Sequence, residues 1–370
     1  MSGFVWFSFA SDVTGKKLAE KLGYASGKKA VDFSAHKVLL VWGAKPGEKF
    51  DPTRLSQLIA ERKLRIINPP ASIEANRDKL TFLKEMETAK LPVPGYVASK
   101  VGGTEALYGR VQEGVEQGTI MFPLIGHNTS HKGDPFFCHT LEDVRNATTV
   151  MGGDPRQAYY FRSFCPGKEY RVHIFRDEAL AAQEKILDKD PIKACSEDLM
   201  AKLKKKAAKE EQPIQVSDSH LQWMVKQMAG ELLNASSHLQ RSVKRGWTYS
   251  DIGADKVPVD VVSLAMAAME AARLDLGAVS IVSDGKNARV TNIQAAPALS
   301  DAQLELYAAA VRDFAGQDAA GAPSKKAKGE KTATKREDNA GVELMQRIMR
   351  RLGNPVGKTA AEEALKILGD

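Results

Sequence analysis

The stretch "LDLGAVSIVSDGKNARVTNIQAAPALS", from Leu274 to Ser300, constrains the chain most. Two apolar segments of strand length flank Asp284-Gly285, a pair that favours a tight turn, so the segment reads as a β-hairpin. Around it the organisation is α/β. "GFVWFSFA" is strand-like, "HKVLLVWGAK" reads as a buried strand, and "DVTGKKLAEKLG" and "DPTRLSQLIAERK" read as helices, the latter with Asp51 as N-cap and Pro52 at the first helical position. "LRIINPP" follows as a short strand, and this alternation over the first seventy residues predicts a parallel sheet covered by helices.

Further along, "SIEANRDKLTFLKEMETAKLPVPGYV" predicts a helix capped by Ser72, running through Lys79 and Leu83 and stopping before Pro92. "TIMFPLIGHNTSHKGDPFFCHTLEDVRNA" reads as strand, glycine-containing loop, strand and helix. "AYYFRSFCPGKEYRVHIFRDEALAAQEKIL" reads as three strands, with strong alternation in "EYRVHIF". A helix over 219–240, a second over "PVDVVSLAMAAMEAARLDLG" capped at or near Gly277, and a third capped at Ser300 complete the body. The body divides into an N-terminal α/β subdomain (1–70), a first lobe (71–155) and a second lobe (156–316) with a lysine-rich insertion at about 188–215. Residues 317–340 offer almost nothing to bury and read as a flexible linker. The tail (341–370) opens with an amphipathic helix over 341–352, a form suited to a protein partner.

Composition excludes several classes. No apolar run reaches the roughly 18 residues that span a bilayer, so no membrane role is expected, and the N-terminus lacks the basic and apolar regions of a signal peptide. The three cysteines, Cys138, Cys165 and Cys195, show neither metal spacing nor a disulfide framework, which favours a reducing, cytoplasmic setting. The net charge is +7, but its lysines cluster in two segments without aromatic residues, which argues against nucleic acid as a partner.

Four motifs in order carry a resemblance over roughly Lys37 to Ala315. "VLLVWGAK" resembles a strand ending in Trp-Gly, and "IINPPASIEANRDKLTFLKEM" an Asn-Pro-x-Ala turn before an Asn-x-x-Lys helix. "KEYRVHIFRDEALAAQEKI" resembles a Glu-Tyr-Arg-Val-His strand followed by a strand closed by lysine. "LDLGAVSIV" and "NIQAAPAL" stand where the pattern has Leu-Asp-Phe-Gly-Ala-Val-Asp and Glu-Val-Asn-Thr-Ala-Pro-Gly-Leu. Together they resemble the ATP-grasp proteins, in particular ligase-like ones encoded by bacteriophages. The resemblance implies an α/β fold of α+β lobes: an N-terminal parallel α/β subdomain, a two-lobed nucleotide clamp and a helical C-terminal tail. It also implies ATP as ligand, a host-cytoplasmic or virion-associated setting, and a reaction in which an acyl phosphate is attacked by an amine.

By the same resemblance, Lys185, Lys79 and Glu169 belong to the nucleotide site. Arg171, on the same strand face as Glu169, becomes the catalytic cation for an acyl or phosphoryl oxygen. His173 continues that face and is expected to be a hydrogen-bonded core histidine. The first-lobe phosphate loop has lost its basic residue: no Lys or Arg lies between Thr119 and His131, which leaves His127, His131 and Lys132 as substitutes. The family's metal positions are held by the neutral Ser280, Asn292 and Gln294, so no metal ligands are expected there and magnesium binding is disfavoured. Asp275 precedes the ligand position in the family pattern and so is not itself the ligand, and Asp284 and Asp301 read as a turn former and an N-terminal helix residue. Two functions follow: a degenerate nucleotide-binding or interaction module without ligase activity, or an active carboxylate–amine ligase whose displaced acids, Glu178 or Glu184, reach a metal from the neighbouring strand. The missing charge favours the first.

Overall fold

A computed structural model describes residues 2–8, 12–29, 33–44, 51–61, 63–99, 103–128, 135–151, 158–209, 226, 241, 246–253 and 256–316. Three four- or five-stranded sheets organise these residues. The first contains β1 (Gly3–Phe7), β2 (Ala25–Gly27), β3 (Val38–Trp42) and β4 (Arg65–Ile67), all parallel, in the order β2-β1-β3-β4. Every residue of β1 and β3 is buried because both faces are covered. Phe4, Trp6, Leu39 and Val41 pack toward α2 (Pro52–Ala60) through Leu55 and Leu58. Val5, Phe7, Leu40 and Trp42 pack on the opposite face against Leu18 of α1 (Asp12–Leu22) and against Leu304, Tyr307 and Val311 of the last described helix, Asp301–Gly316. Asp51 caps α2 as expected, its carboxylate accepting from the backbone N–H groups of Thr53 and Arg54.

The helix expected from Ser72 onward is two helices. α3 (Pro70–Arg77) starts at Pro70, because the Pro69-Pro70 pair supplies a helical φ and needs no donor. Ser72 lies inside it, and its carbonyl accepts from Asn76. Asp78 is extended and caps α4 (Lys79–Thr88) by accepting from Thr81 N. That break places Lys79 in the first turn of α4, at the edge of the central cleft.

The second sheet, in the order β5-β8-β6-β7, comprises β5 (Tyr96–Ala98), β6 (Leu124–Asn128), β7 (Phe136–Cys138) and β8 (Tyr159–Ser163). Its pairs are antiparallel. α5 (Thr104–Glu116) and α6 (Leu141–Met151) cover one face through Leu107, Val111, Val144 and Met151, which pack on Leu124 and Phe161. α7 (Pro191–Lys209) starts within the lysine-rich insertion.

The third sheet is antiparallel, ordered β11-β10-β9-β12-β13, from β9 (Lys168–Phe175), β10 (Glu178–Leu187), β11 (Trp247–Ile252), β12 (Leu276–Ser283) and β13 (Ala288–Gln294). Strand alternation sends Tyr170, Val172, Ile174, Val279, Ile281 and Ile293 to one face, against α8 (Val259–Ala271). The opening hairpin is β12–β13, and Asp284 Oδ1 closes its turn by accepting from Lys286 N and Asn287 N. Gly277 does not cap α8. The helix ends at Ala272, Arg273 takes the left-handed conformation (φ 53°), and Gly277 is paired inside β12. A Cβ there would meet Gln294 O at 2.7 Å, so close pairing rather than a turn requires glycine. Ser300 and Gln303 cap α9 (Asp301–Gly316) reciprocally, as expected of a helix starting there.

The 219–240 helix, apart from Lys226, the 317–340 linker and the 341–370 tail lie outside the described residues. No helix among the described residues is long and apolar enough to cross a membrane.

Asn68 joins the first sheet to the third. It sits at φ 60° and is fully buried. Its Oδ1 accepts from Asp275 N and Leu276 N, both at 2.9 Å, and its Nδ2 donates to Leu276 O at 2.7 Å and Ala295 O at 3.3 Å. Its own N–H donates to the Asp275 carboxylate at 3.1 Å. Asp275 is therefore structural, and it is also ion-paired to Arg176 at 3.3 Å. Because Asn68→Ala leaves buried donors and acceptors unpaired, it is expected to lower unfolding free energy by about 3 kcal/mol or more in urea titration. Asn68→Gly, which relieves the backbone but not the lost bonds, is expected to recover only a minor part.

His173 is fully buried, with Nδ1 2.9 Å from the Tyr307 hydroxyl and Nε2 3.2 Å from Gln183 Oε1. It is the hydrogen-bonded core histidine expected. Burial pushes its pKa down to about 4, against the opposing effect of the Gln183 bond. Between its ordinary value of 6.5 and about 4, the unfolded chain therefore binds a proton that the folded chain does not. Stability falls as pH drops through that window. His173→Leu is expected to be less stable near neutrality, but its urea midpoint should change less than the wild type's on acidification to about pH 4.5.

Candidate functional site

The face of the third sheet opposite α8 carries polar residues in register. Arg171 on β9 pairs with Gln183 on β10 and Ser280 on β12, and Ser280 pairs with Asn292 on β13. One row along, Tyr249 on β11 pairs with Lys185, which pairs with Glu169. Ala278 pairs with Gln294 on the other side. Facing them, β6 and β8 present Ile125, His127, Tyr160 and Arg162, the residues whose alternate neighbours are packed under α5 and α6. The two faces enclose a cleft of about 370 Å³, also lined by Phe137, Phe164, Cys165 and Arg241.

Polar contacts fix the floor. Glu169 Oε1 accepts from Lys185 Nζ at 3.0 Å and from the Tyr249 hydroxyl at 2.8 Å. Lys185 and Glu169 side chains are only 12% and 13% exposed. Burial pulls the Lys185 ammonium below the ordinary lysine range, and the Glu169 charge opposes that pull. Burial and Glu169 both hold the Tyr249 phenol neutral well above its usual value. The Arg171 guanidinium lies 3.7 Å from the Tyr249 ring centroid, a cation–π contact, while its buried Nε has no hydrogen-bond partner among the described residues. Arg241 lies over the Phe164 and Trp247 rings, at 5.3 and 5.7 Å. From α4, the Lys79 ammonium donates to Asn292 Oδ1. Burial, followed by the nearby Arg162 charge, lowers the Lys79 pKa to about 8, and Asp78 opposes the shift.

Arg171, Lys185, Glu169, Ser280, Asn292 and Gln294 thus line one cleft, and Lys79 reaches it through Asn292. His127 lines the opposite wall, whereas His131 and Lys132 lie outside the described residues. Glu184 and Glu178 are not brought to the site. Glu184 is on the alternate face of β10, ion-paired with Lys168 at 3.0 Å, and Glu178 lines a separate hollow beside Arg176, Asp177 and Asp313. Sequence reasoning missed Arg162, Arg241 and Tyr249. Arg162 was legible in principle: in "YYFRSF" it alternates with the core residue Phe161 and pairs with Ile125 on β6, the strand without a cation. Arg241 lies outside any regular strand or helix, so no periodicity points to it.

The lining combines Arg162, Arg171, Lys185 and Arg241 with one described carboxylate, Glu169, whose Oε1 already accepts two donors. This arrangement suits an anion carrying several charges. Magnesium, a hard cation, would draw on carboxylate or phosphate oxygens, and Glu169 is the one carboxylate that the described residues bring to the lining. The hairpin offers two hydroxyls, of Ser280 and Thr291, and two amides, and among the described residues there is no group of three His, Cys, Asp or Glu side chains that could hold a metal ion.

No family model matches the chain, and no curated protein matches its sequence. Solved structures do match in fold. The ATP-grasp ligase PsnB, complexed with a minimal precursor, superposes over 85% of this chain and 99% of its own, at TM-score 0.51 and 12% identity. D-alanine–D-alanine ligase from Bacillus anthracis gives 85% and 92%, TM-score 0.51 and 14% identity. A RimK domain ATP-grasp protein from Sphaerobacter thermophilus gives 85% and 99%, TM-score 0.50 and 15% identity. The chain has the ATP-grasp fold, as its motifs predict.

The Lys185–Glu169 pair is mostly buried, so removing one partner leaves the other uncompensated. Glu169→Leu is expected to cost about 3 kcal/mol in urea titration, and combining it with Lys185→Met should cost less than the two single changes added. Strict additivity would mean that the two side chains are not coupled.

Proposed function

We propose that the cleft binds the polyphosphate of a nucleotide, ATP in the first instance, and that the protein is a degenerate ATP-grasp module that holds nucleotide without ligating a carboxylate to an amine. One observation carries the reading: among the described residues four cations and a single carboxylate, with one oxygen already accepting two donors, line the cleft, while the hairpin side chains that line it are neutral. Phosphate oxygens would be met by Lys185, Arg171, Arg162 and Arg241, the charge-assisted donors that bind such anions. Ile125, Phe137, Tyr160 and Phe164 supply an apolar wall suited to a base. The PsnB structure that carries magnesium and ADP supports a nucleotide in this fold.

Ligation asks for more than binding. Charge on a transferring phosphoryl group is ordinarily neutralised by metal ions held on carboxylates. Glu178 and Glu184, the acids that could have replaced the lost ones, stand elsewhere. Arg171 remains placed to touch a phosphoryl oxygen, which here serves binding.

Thermal unfolding tests the proposal, because a ligand that binds only the folded state must raise its stability, by about 2.7 kcal/mol at a hundred times its dissociation constant. Millimolar ATP or ADP is expected to raise the melting temperature of the wild type, and Lys185→Ala to abolish the shift. No shift with any nucleotide would refute the nucleotide site. A shift in the wild type that appears only with magnesium would refute the non-ligase reading.

A further inference from the structure

The contact between Lys79 and Asn292 links residues 213 positions apart and belongs to neither the packing of α4 nor the pairing of β13. Lys79 starts α4, and its ammonium crosses to the cleft face of the hairpin, where its acceptor is an amide oxygen. Asp78, its chain neighbour, is committed to the helix cap, accepting from both Thr81 N and Thr81 Oγ1. No carboxylate forms an ion pair with Lys79 among the described residues, and Arg162, also on the cleft, adds a like charge. The Phe82 ring, 4.9 Å from the ammonium, gives it a cation–π contact, but a partly buried ammonium with one neutral acceptor and a cationic neighbour still lacks a countercharge. It becomes favourable when an anion enters beside it.

The same geometry opposes a divalent ion. A metal at Asn292 would share its amide oxygen with an ammonium, would be repelled by Lys79 and Arg162, and would find hydroxyls and amides instead of charged oxygens. We propose that the Lys79 ammonium, held on Asn292, is the built-in cation of this cleft, and that the ligand is a nucleoside di- or triphosphate in its metal-free form. The inference rests on the nucleotide reading above and adds the identity of the bound species. Magnesium then competes with the protein for the ligand's phosphates instead of bridging the two.

Calorimetric titration of ADP into the full chain, in EDTA and in excess magnesium, tests this. The wild type is expected to bind at least as tightly in EDTA as in magnesium. Lys79→Met, close in shape and without charge, is expected to weaken binding in EDTA by roughly ten- to a hundredfold, with Lys79→Arg keeping most of the affinity. Asn292→Asp approaches the contact from the hairpin: its carboxylate neutralises Lys79, so it should weaken binding in EDTA and make added magnesium favourable. Wild-type binding that needs magnesium would overturn the inference, as would a folded Lys79→Met or Asn292→Asp protein that binds in EDTA like the wild type. Wild-type protein that binds ADP in neither buffer would instead overturn the nucleotide reading itself.

Discussion

One buried side chain holds the halves of this molecule in register. Asn68 ends the last strand of the parallel sheet in a left-handed conformation that asparagine tolerates better than most residues. Its amide bonds to backbone at the start of β12 and the end of β13. The base of the catalytic-type hairpin is thereby fixed to the N-terminal subdomain. A displacement there would move Ser280, Asn292 and Gln294 relative to Lys79, which is set by α4 on the N-terminal side.

Beyond Asn68, the third sheet separates two tasks by alternation. One face buries apolar side chains against α8 and gains most of its stability there. The other carries Glu169, Arg171, Lys185 and the hairpin residues. One carboxylate oxygen there serves Lys185 and Tyr249, and the Tyr249 ring carries the Arg171 guanidinium, whose Nε is left without a hydrogen-bond partner among the described residues. What remains is an excess of positive charge facing an open cleft. That excess is what the proposed ligand neutralises, and it explains why neutral hairpin residues are compatible with a binding site although they are incompatible with a metal centre.

Much of this was legible in the sequence. The buried runs of β1 and β3, the Asp51 and Ser300 caps, the turn at Asp284 and the polar face of β9 are local patterns, and local patterns follow from alternation, capping and turn chemistry. The departures are also physical. The pattern predicts one helix where there are two, because Asp78 serves as a cap in mid-segment, and it predicts a cap at or near Gly277, where strand pairing is what excludes a side chain. The alternation of Arg162 is local, but Tyr249 depends on which strands become neighbours and the Lys79–Asn292 contact on where α4 meets the hairpin, which no single segment encodes. Arg241 has no periodic context at all.

In the proposed complex, protein cations, with Lys79 at the hairpin, take the place of metal ions against a bound polyphosphate. A crystal structure of the chain with ADP, grown in millimolar magnesium, is expected to show phosphate oxygens within hydrogen-bond reach of Lys79 and Lys185, with no ion between them and Ser280, Asn292 or Gln294. An octahedral magnesium bridging the phosphates to the hairpin would contradict the proposal.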